Sequence, residues 1–432
     1  MKILYFVLVY SHLVAVLGKN IPFTWGIGID VLLIISAFRV LFSNNSSEKK
    51  ANIKPNVFFI LSGLWMSYIV LELLNPEVNS YIAWLYAMRA LALYGFLIAL
   101  IGMKSELNLK DFYKFYTVWL LFAFLGGLYG MKQQIFGLFN WEQNWLAQGA
   151  WRRHVLWGQL RVFSFYSDAS TYGNAMGQAF TASSILLLGP FKRKIKVLLF
   201  FCSIVTLIGL ALSGTRGAYA VPGAGLILFV LVSRSQWLRI VILSSMVTVF
   251  CLLKFTYIGQ NVYSIQRMRS SLDSNDPSLQ LRLFNREQLT KYLRDKPFGG
   301  GVGSVGLWGQ RFSPTTWLAN FYSDGGYTRL RAECGIVGKN LFVFINLILL
   351  LRGARLLIKT GNEETYILSA AFLCGFGGIL ASNYGNSTLS QLPNSIIIYI
   401  GLIFIEKIHQ GQLKQQGKPS EIEGDHKKLN LS

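Results

Sequence analysis

The chain has 432 residues, of which 53% are hydrophobic and only 14% charged, and its mean hydropathy is +0.42. That composition suits burial in lipid and excludes an ordinary soluble domain. A formal net charge of +21 would point to nucleic acid in a soluble protein. With no zinc-finger spacing, RNA-binding aromatic signature or basic helix, nucleic acid is not expected as a partner.

Apolar windows of about seventeen residues or more fall at 2–17, 25–42, 55–74, 81–102, 112–130, 171–188, 196–212, 216–232, 238–256, 329–351, 366–382 and 392–408. They predict an all-α, polytopic transmembrane helical bundle of about twelve spans. Residues 1–256 would hold helices one to nine, with an external segment at about 131–170. A long, partly helical external loop would follow at 257–327, then helices ten to twelve at 328–408 and a polar, disordered cytoplasmic tail at 409–432. The weakest windows are 171–188, which carries Tyr172, Asn174 and Gln178, and the short 366–382. A secretory signal competes for the first window. That stretch runs almost directly into the second and lacks a persuasive small-residue cleavage site, so it is expected to be a retained helix.

Lys and Arg should concentrate in short cytoplasmic loops. With the N-terminus inside, the inner segments hold Arg39, Lys49, Lys50, Lys54, Lys104, Lys110, the 192–196 cluster, Arg234, Arg239, Arg352, Arg355, Lys359, Lys407, Lys414, Lys418, Lys427 and Lys428. The short outer loops hold only Lys19 and Arg216. Both termini are therefore expected in the cytoplasm and both long polar segments outside. Much of the positive charge is then explained by topology and contact with membrane lipids.

Cys202, Cys251, Cys334 and Cys374 form neither a CxxC pair nor a disulfide framework, and His12, His154, His409 and His426 are too dispersed for a metal site. No metal and no cofactor is expected. The Gly-rich run Phe298–Gly303 lacks the terminal GK[ST] of a phosphate-binding loop and reads as a tight turn that could approach a substrate or a helix end.

Four groups of charges on the outer side remain. Arg216 in LSGTRGAYA sits between two apolar stretches with hardly any loop, where a charge must pair, snorkel or face a polar cavity. It is either a headgroup anchor or a fork for diphosphate oxygens. Arg282 lies in LQLRLFNREQLTKYLRDKPFGGGVGS, a short amphipathic helix closed by Pro297, and is either a substrate contact or a solvated charge. Before helix ten come Asp324, Tyr327, Arg329, Arg331 and Glu333. On a helix, Tyr327 shares a face with Arg331, and Arg329 with Glu333, so an Arg329–Glu333 salt bridge competes with a catalytic Glu333. Asp324 is a helix cap or the group that handles an acceptor hydroxyl. Before helix six, Trp151, Trp157, Phe163, Phe165, Tyr166 and Tyr172 are suited to the membrane interface and to sugar rings. Among them Arg152, Arg153, Arg161 and Asp168 are candidate glycan and phosphate contacts, with Arg161 and Asp168 expected to share a cavity.

With these motifs in this order, the chain resembles the bacterial O-antigen ligase and polysaccharide polymerase superfamily. The resemblance covers nearly the whole chain: the span pattern, SFYSDASTYGNAMGQAF, LSGTRGAYA, the Arg282 helix with its Gly-rich turn, and YTRLRAECGIVG. It implies a metal-independent membrane glycosyltransferase using undecaprenyl-diphosphate-linked glycans at the outer face of the bacterial plasma membrane. Flippase and chain-length regulator proteins are the partners it implies. By position, Arg216 and Arg282 are similar to the family's pyrophosphate-binding arginines, and Glu333 sits at its acidic position. The family's ligases usually carry His-Asn just before the tyrosine, whereas Asp324 and Gly325 stand here. That departure favours a polymerase of O-antigen, capsule or exopolysaccharide repeats over an O-antigen ligase or protein O-oligosaccharyltransferase. A lipid-linked glycan transporter is a third reading, weakened by the lack of internal repeats and by charges gathered at one face.

Overall fold

Helices occupy all twelve apolar windows in the computed structural model, which describes residues 2–21, 23–42, 56–105, 107–156, 158–273 and 275–416. In chain order these are α1 (Lys2–Asn20), α2 (Ile27–Phe42), α3 (Val57–Leu71), α4 (Tyr81–Lys104, with a π-helical turn at Arg89–Leu93) and α5 (Leu109–Ile135). Then come α6 (Ala169–Leu186), α7 (Arg193–Leu212), α8 (Ala220–Val232, entered through a 3₁₀ turn at Arg216–Tyr219) and α9 (Gln236–Phe255). Two further helices, α10 (Tyr263–Ser270) and α11 (Pro277–Tyr292), precede α12 (Gly326–Lys359), α13 (Glu363–Ser382) and α14 (Asn394–Gln416). Lys49, Lys50, Lys54, Trp157, Lys418, Lys427, Lys428, His426 and the tail from 417 lie outside the described residues.

The molecule is an all-α, polytopic membrane helical bundle. Among the described residues, eight helices are long and apolar enough to cross a membrane, fewer than the twelve expected. Of the other four, α2 has only 16 residues and the apolar stretch Arg216–Val232 is also short. For α6 the reason is polarity: Thr171, Asn174, Gln178, Thr181 and Ser183 are all buried, turned toward other helices. The short window at 366–382, by contrast, belongs to a 20-residue helix that is almost wholly enclosed.

The centre of the bundle is built from α6, α7, α8 and α13. A Cβ at Gly225 or Gly378 would run into the facing backbone of α13 or α8, so glycine permits the close approach of these two helices. α5 runs five residues past its expected end, to Ile135, and leads into a segment of short helices and a two-residue hairpin pairing Val155–Leu156 with Gln159–Leu160. α14 continues to Gln416, past the expected end at 408.

Within α12 the helix breaks at Gly335, whose φ of 66° and ψ of −165° belong to a region that only glycine enters readily. The Gly-rich turn fills the break. Val337 N donates to Pro297 O at 3.3 Å and Gly300 N to Ala332 O at 2.9 Å. A Cβ on Gly335 would collide with the Pro297 carbonyl, and one on Gly299 with the Gly335 amide. The turn's approach to a helix, one of the expected alternatives, is therefore what its glycines serve. Gly335→Ala combines backbone strain with this collision and is expected to cost at least about 2 kcal/mol. Thermal unfolding in detergent, with Gly361→Ala in open space as the reference, measures it.

Candidate functional site

Each helix that ends near the 213–219 turn contributes to one cluster of charges. Ser213 closes α7, its Oγ donating to Leu210 O at 2.7 Å, and Gly214 reverses the chain with φ +57°. Arg216 then meets Asp276: its Nη1 lies 2.5 Å from Asp276 Oδ2, with both side chains largely buried. Asp276 is also the N-cap of α11, accepting from Ser278 N at 2.9 Å and Leu279 N at 3.1 Å, with Pro277 in the first turn. Burial pushes the Asp276 carboxyl up, but the Arg216 guanidinium and the two amides outweigh it and hold it below the usual carboxylate range.

Arg282, six residues into the helix that Asp276 caps, reaches Asp324 with Nε at 3.3 Å from Oδ2. Asp324 is not the cap of α12; Gly325, with φ +92°, holds that position and makes no side-chain bond. About a quarter of each side chain of this pair remains exposed. Arg286, on the same face at i+4, donates to Thr328 Oγ1 at 3.3 Å and Tyr384 O at 3.0 Å and stacks 3.9 Å from the Tyr384 ring centroid. The α13–α14 connection closes the cluster: Asn386 Nδ2 donates to Ser382 Oγ at 2.9 Å, and Ser382 Oγ bonds Gly217 O at 2.9 Å. The residue after Arg216 is thus tied to α13.

Glu333 is buried to 1% exposure. Arg329 Nε pairs with its Oε1 at 3.0 Å, and the backbone amides of Gly303 and Val305 also face the carboxylate. The salt bridge anticipated from the i,i+4 spacing is present, and the carboxylate clamps the Gly-rich turn onto α12. Tyr327 donates its hydroxyl to Leu380 O at 2.8 Å. Arg331 is half-buried, without an ion-pair partner among the described residues.

Asp168 caps α6, accepting from Ser170 N, Thr171 N and Thr171 Oγ1 at 2.8–2.9 Å. It lies near enough to Arg161 to be felt electrostatically but forms no ion pair with it. Arg161 points instead at the 213–219 turn, donating from Nη2 to Thr215 Oγ1 at 2.7 Å and from Nη1 to Arg153 O at 3.2 Å. Arg152 and Arg153 are exposed on the short helix Trp151–His154. His154 lies between Trp145 and Phe163, where burial pushes its pKa down to about 4.

Arg267, Asp276, Arg286 and Asn386 were missed in the sequence. Asp276-Pro277 carried the signal of a helix start, and Arg286 the i+4 relation to Arg282. Nothing local marked Arg267 or Asn386. Among the described residues no three His, Cys, Asp or Glu side chains gather as a metal site would require.

Fold and cluster together define a multi-pass membrane protein with a charged site where its helices end. Residues 198–338, which span the 213–219 turn, α11 and the first part of α12, match the Wzy_C family, described as O-antigen ligase. None of the curated proteins matches the chain.

Replacing Glu333 by Ala would leave Arg329 and the two amides without their acceptor, at a cost of about 3–5 kcal/mol for breaking a buried pair. Hydrogen exchange should rise at Gly303 and Val305 in that variant. Unchanged protection there would exclude the clamp.

Proposed function

We propose that the protein transfers a glycan from a polyprenyl-diphosphate-linked donor to an acceptor hydroxyl, at the outer face of the bacterial plasma membrane, with both termini cytoplasmic. The observation that carries this reading is the pairing of Arg216 and Arg282 with Asp276 and Asp324 along a single capped helix. Two guanidinium forks beside the ends of apolar helices suit the oxygens of a diphosphate whose lipid lies in the bilayer.

The acceptor oxygen attacks the anomeric carbon, the bond from that carbon to the diphosphate oxygen breaks, and the electron pair leaves with undecaprenyl diphosphate. The acceptor proton passes to a carboxylate or to water. Charge builds on the leaving diphosphate, so the arginines, fixed before reaction, have the largest task. Of the two candidate carboxylates, partly exposed Asp324 has access to an acceptor, whereas Glu333 is enclosed. Arg152, Arg153, Arg161, Asp168, Tyr327, Arg329 and Arg331 remain candidate contacts for the glycan or its phosphates.

The matched family's description, O-antigen ligase, favours the ligase reading, with a protein O-oligosaccharyltransferase as its variant. A polymerase joining like repeats is the second reading, supported by Asp324 and Gly325 at the places where the family's ligases carry His-Asn. Purified protein given only undecaprenyl-diphosphate repeats should release undecaprenyl diphosphate and build oligomers if it is a polymerase. A ligase should form product only when lipid A core or another distinct acceptor is added. Unchanged substrate mass in both mixtures, using the repeat made by the host, would exclude transfer.

Arg216→Ala and Arg282→Ala are expected to abolish product at matched protein levels, and the corresponding lysine variants to recover little of it. Asp324→Asn should slow transfer by about 10²-fold if that carboxylate takes the proton. Orientation is tested separately: cysteines introduced within 257–323 should react with an impermeant thiol reagent in spheroplasts, and cysteines within 354–362 should not. The reverse labelling would place the site on the wrong side for this donor.

A further inference from the structure

Tyr384 is the one exposed residue of the stretch 382–390, where all its neighbours are buried or half-buried. It is nevertheless held in place. Arg286 Cζ lies 3.9 Å from the ring centroid, Arg286 Nη2 donates to the Tyr384 carbonyl at 3.0 Å, and Arg286 Nε donates to Thr328 Oγ1 at 3.3 Å. One face of the ring is thus covered by an anchored guanidinium, and the residue's 54% exposure belongs to the opposite face and the edge. An exposed ring that is already clamped has lost the side-chain freedom that a ligand would otherwise have to remove.

The more accessible of the two candidate carboxylates stands beside it. Gly325 packs on Tyr384 so closely that a Cβ would lie 2.3 Å from the Tyr384 carbonyl oxygen, and Gly326 N donates to Asn383 O at 2.9 Å. Asp324 is one residue from that contact. A Cβ on Gly385 would lie 3.5 Å from Arg282 Nη1, and Arg282 holds Asp324. An open aromatic face, a partly exposed carboxylate and a guanidinium therefore meet at one place, supplied by the α13–α14 connection, the approach to α12, and α11.

The chemistry of that combination selects its ligand. A sugar ring has faces of C–H groups and a rim of hydroxyls, so its face packs on an aromatic ring while its rim meets polar groups at the side. A serine or threonine hydroxyl on a protein brings no such face. A tyrosine that merely sits at a membrane interface needs neither the guanidinium clamp nor the close glycine contact beside a carboxylate.

We propose that Tyr384 is the platform for the acceptor, taking the face of the acceptor's terminal sugar on its open side and setting the attacking hydroxyl at Asp324. This rests on the proposed glycan transfer and adds a residue that selects a saccharide acceptor.

The test is transfer by the purified full-length protein from the lipid-linked donor to an alkyl-linked saccharide without diphosphate, which can serve only as acceptor. Two are used: the host's repeat unit and the lipid A core oligosaccharide. Tyr384→Ala is expected to raise the acceptor KM about three- to ten-fold, the scale of a lost aromatic contact, with kcat and the donor KM within about two-fold of the parent. Tyr384→Phe, which keeps the ring, should restore the parent's acceptor KM. Tyr81→Ala, at an exposed tyrosine that opens α4, should leave the acceptor KM unchanged. Thermal unfolding in detergent separates folding from binding, and Tyr384→Leu takes the place of Tyr384→Ala should the alanine variant not fold. An unchanged acceptor KM in a folded variant, or transfer by the parent to a serine-bearing peptide and to neither saccharide, would overturn this inference and leave the donor assignment intact. No transfer by the parent to any acceptor would overturn both.

Discussion

The contact between Arg216 and Asp276 governs the arrangement of the charged end of the molecule. Asp276 serves two masters: its oxygens satisfy the first amides of α11 while pairing with an arginine on the turn into α8. A helix whose one buried residue is Leu289 is thereby fixed in direction by its N-cap. Everything farther along it inherits that placement. Arg282 reaches Asp324 and Arg286 reaches Tyr384 because α11 starts where Arg216 holds it. A charged cap on a partly buried arginine is a stronger fastening than a surface ion pair, since water competes less and the carboxylate's lone pairs are used on both partners.

A second fastening works by shape. The break at Gly335 admits the backbone of the Gly-rich turn, and the carboxylate of Glu333, two residues earlier, accepts from the amides at the turn's far side. Together they seat the 297–305 stretch against α12, so the segment 276–305 is held at both ends: by α11's cap and by this seat. The segment is therefore braced at two points some twenty residues apart in sequence, an arrangement that suits the fixed geometry the proposed guanidinium forks require.

Hydropathy made every helix of the bundle legible, because a window of apolar residues is a direct statement about solvent. It ranked α6 among its weakest windows, because Asn174 and Gln178 lower the average although they face neighbours rather than lipid, and a one-dimensional average cannot separate those cases. The Arg329–Glu333 pair was readable from helical spacing alone. Asp168 was harder: read as a cavity group, it is a helix cap, although SDAST before an apolar run carries the cap signal plainly. Arg267 and Asn386 were not legible at all, since their importance comes from contacts with Gly214 and, through Ser382, with Gly217, which lie far away in sequence. Residues assembled by tertiary packing leave no trace in local pattern.

α9 buries none of its twenty residues and touches little besides α8 and α10. A helix solvated almost wholly by lipid answers to hydrocarbon alone, so its side chains can drift among Leu, Ile, Val, Phe and Met at almost no energetic cost. α13, enclosed along nearly its whole length, has no such freedom, because each of its side chains fills a space shaped by others. Sequence divergence between related chains should therefore run fastest along α9 and stall abruptly at α10, one short connection later.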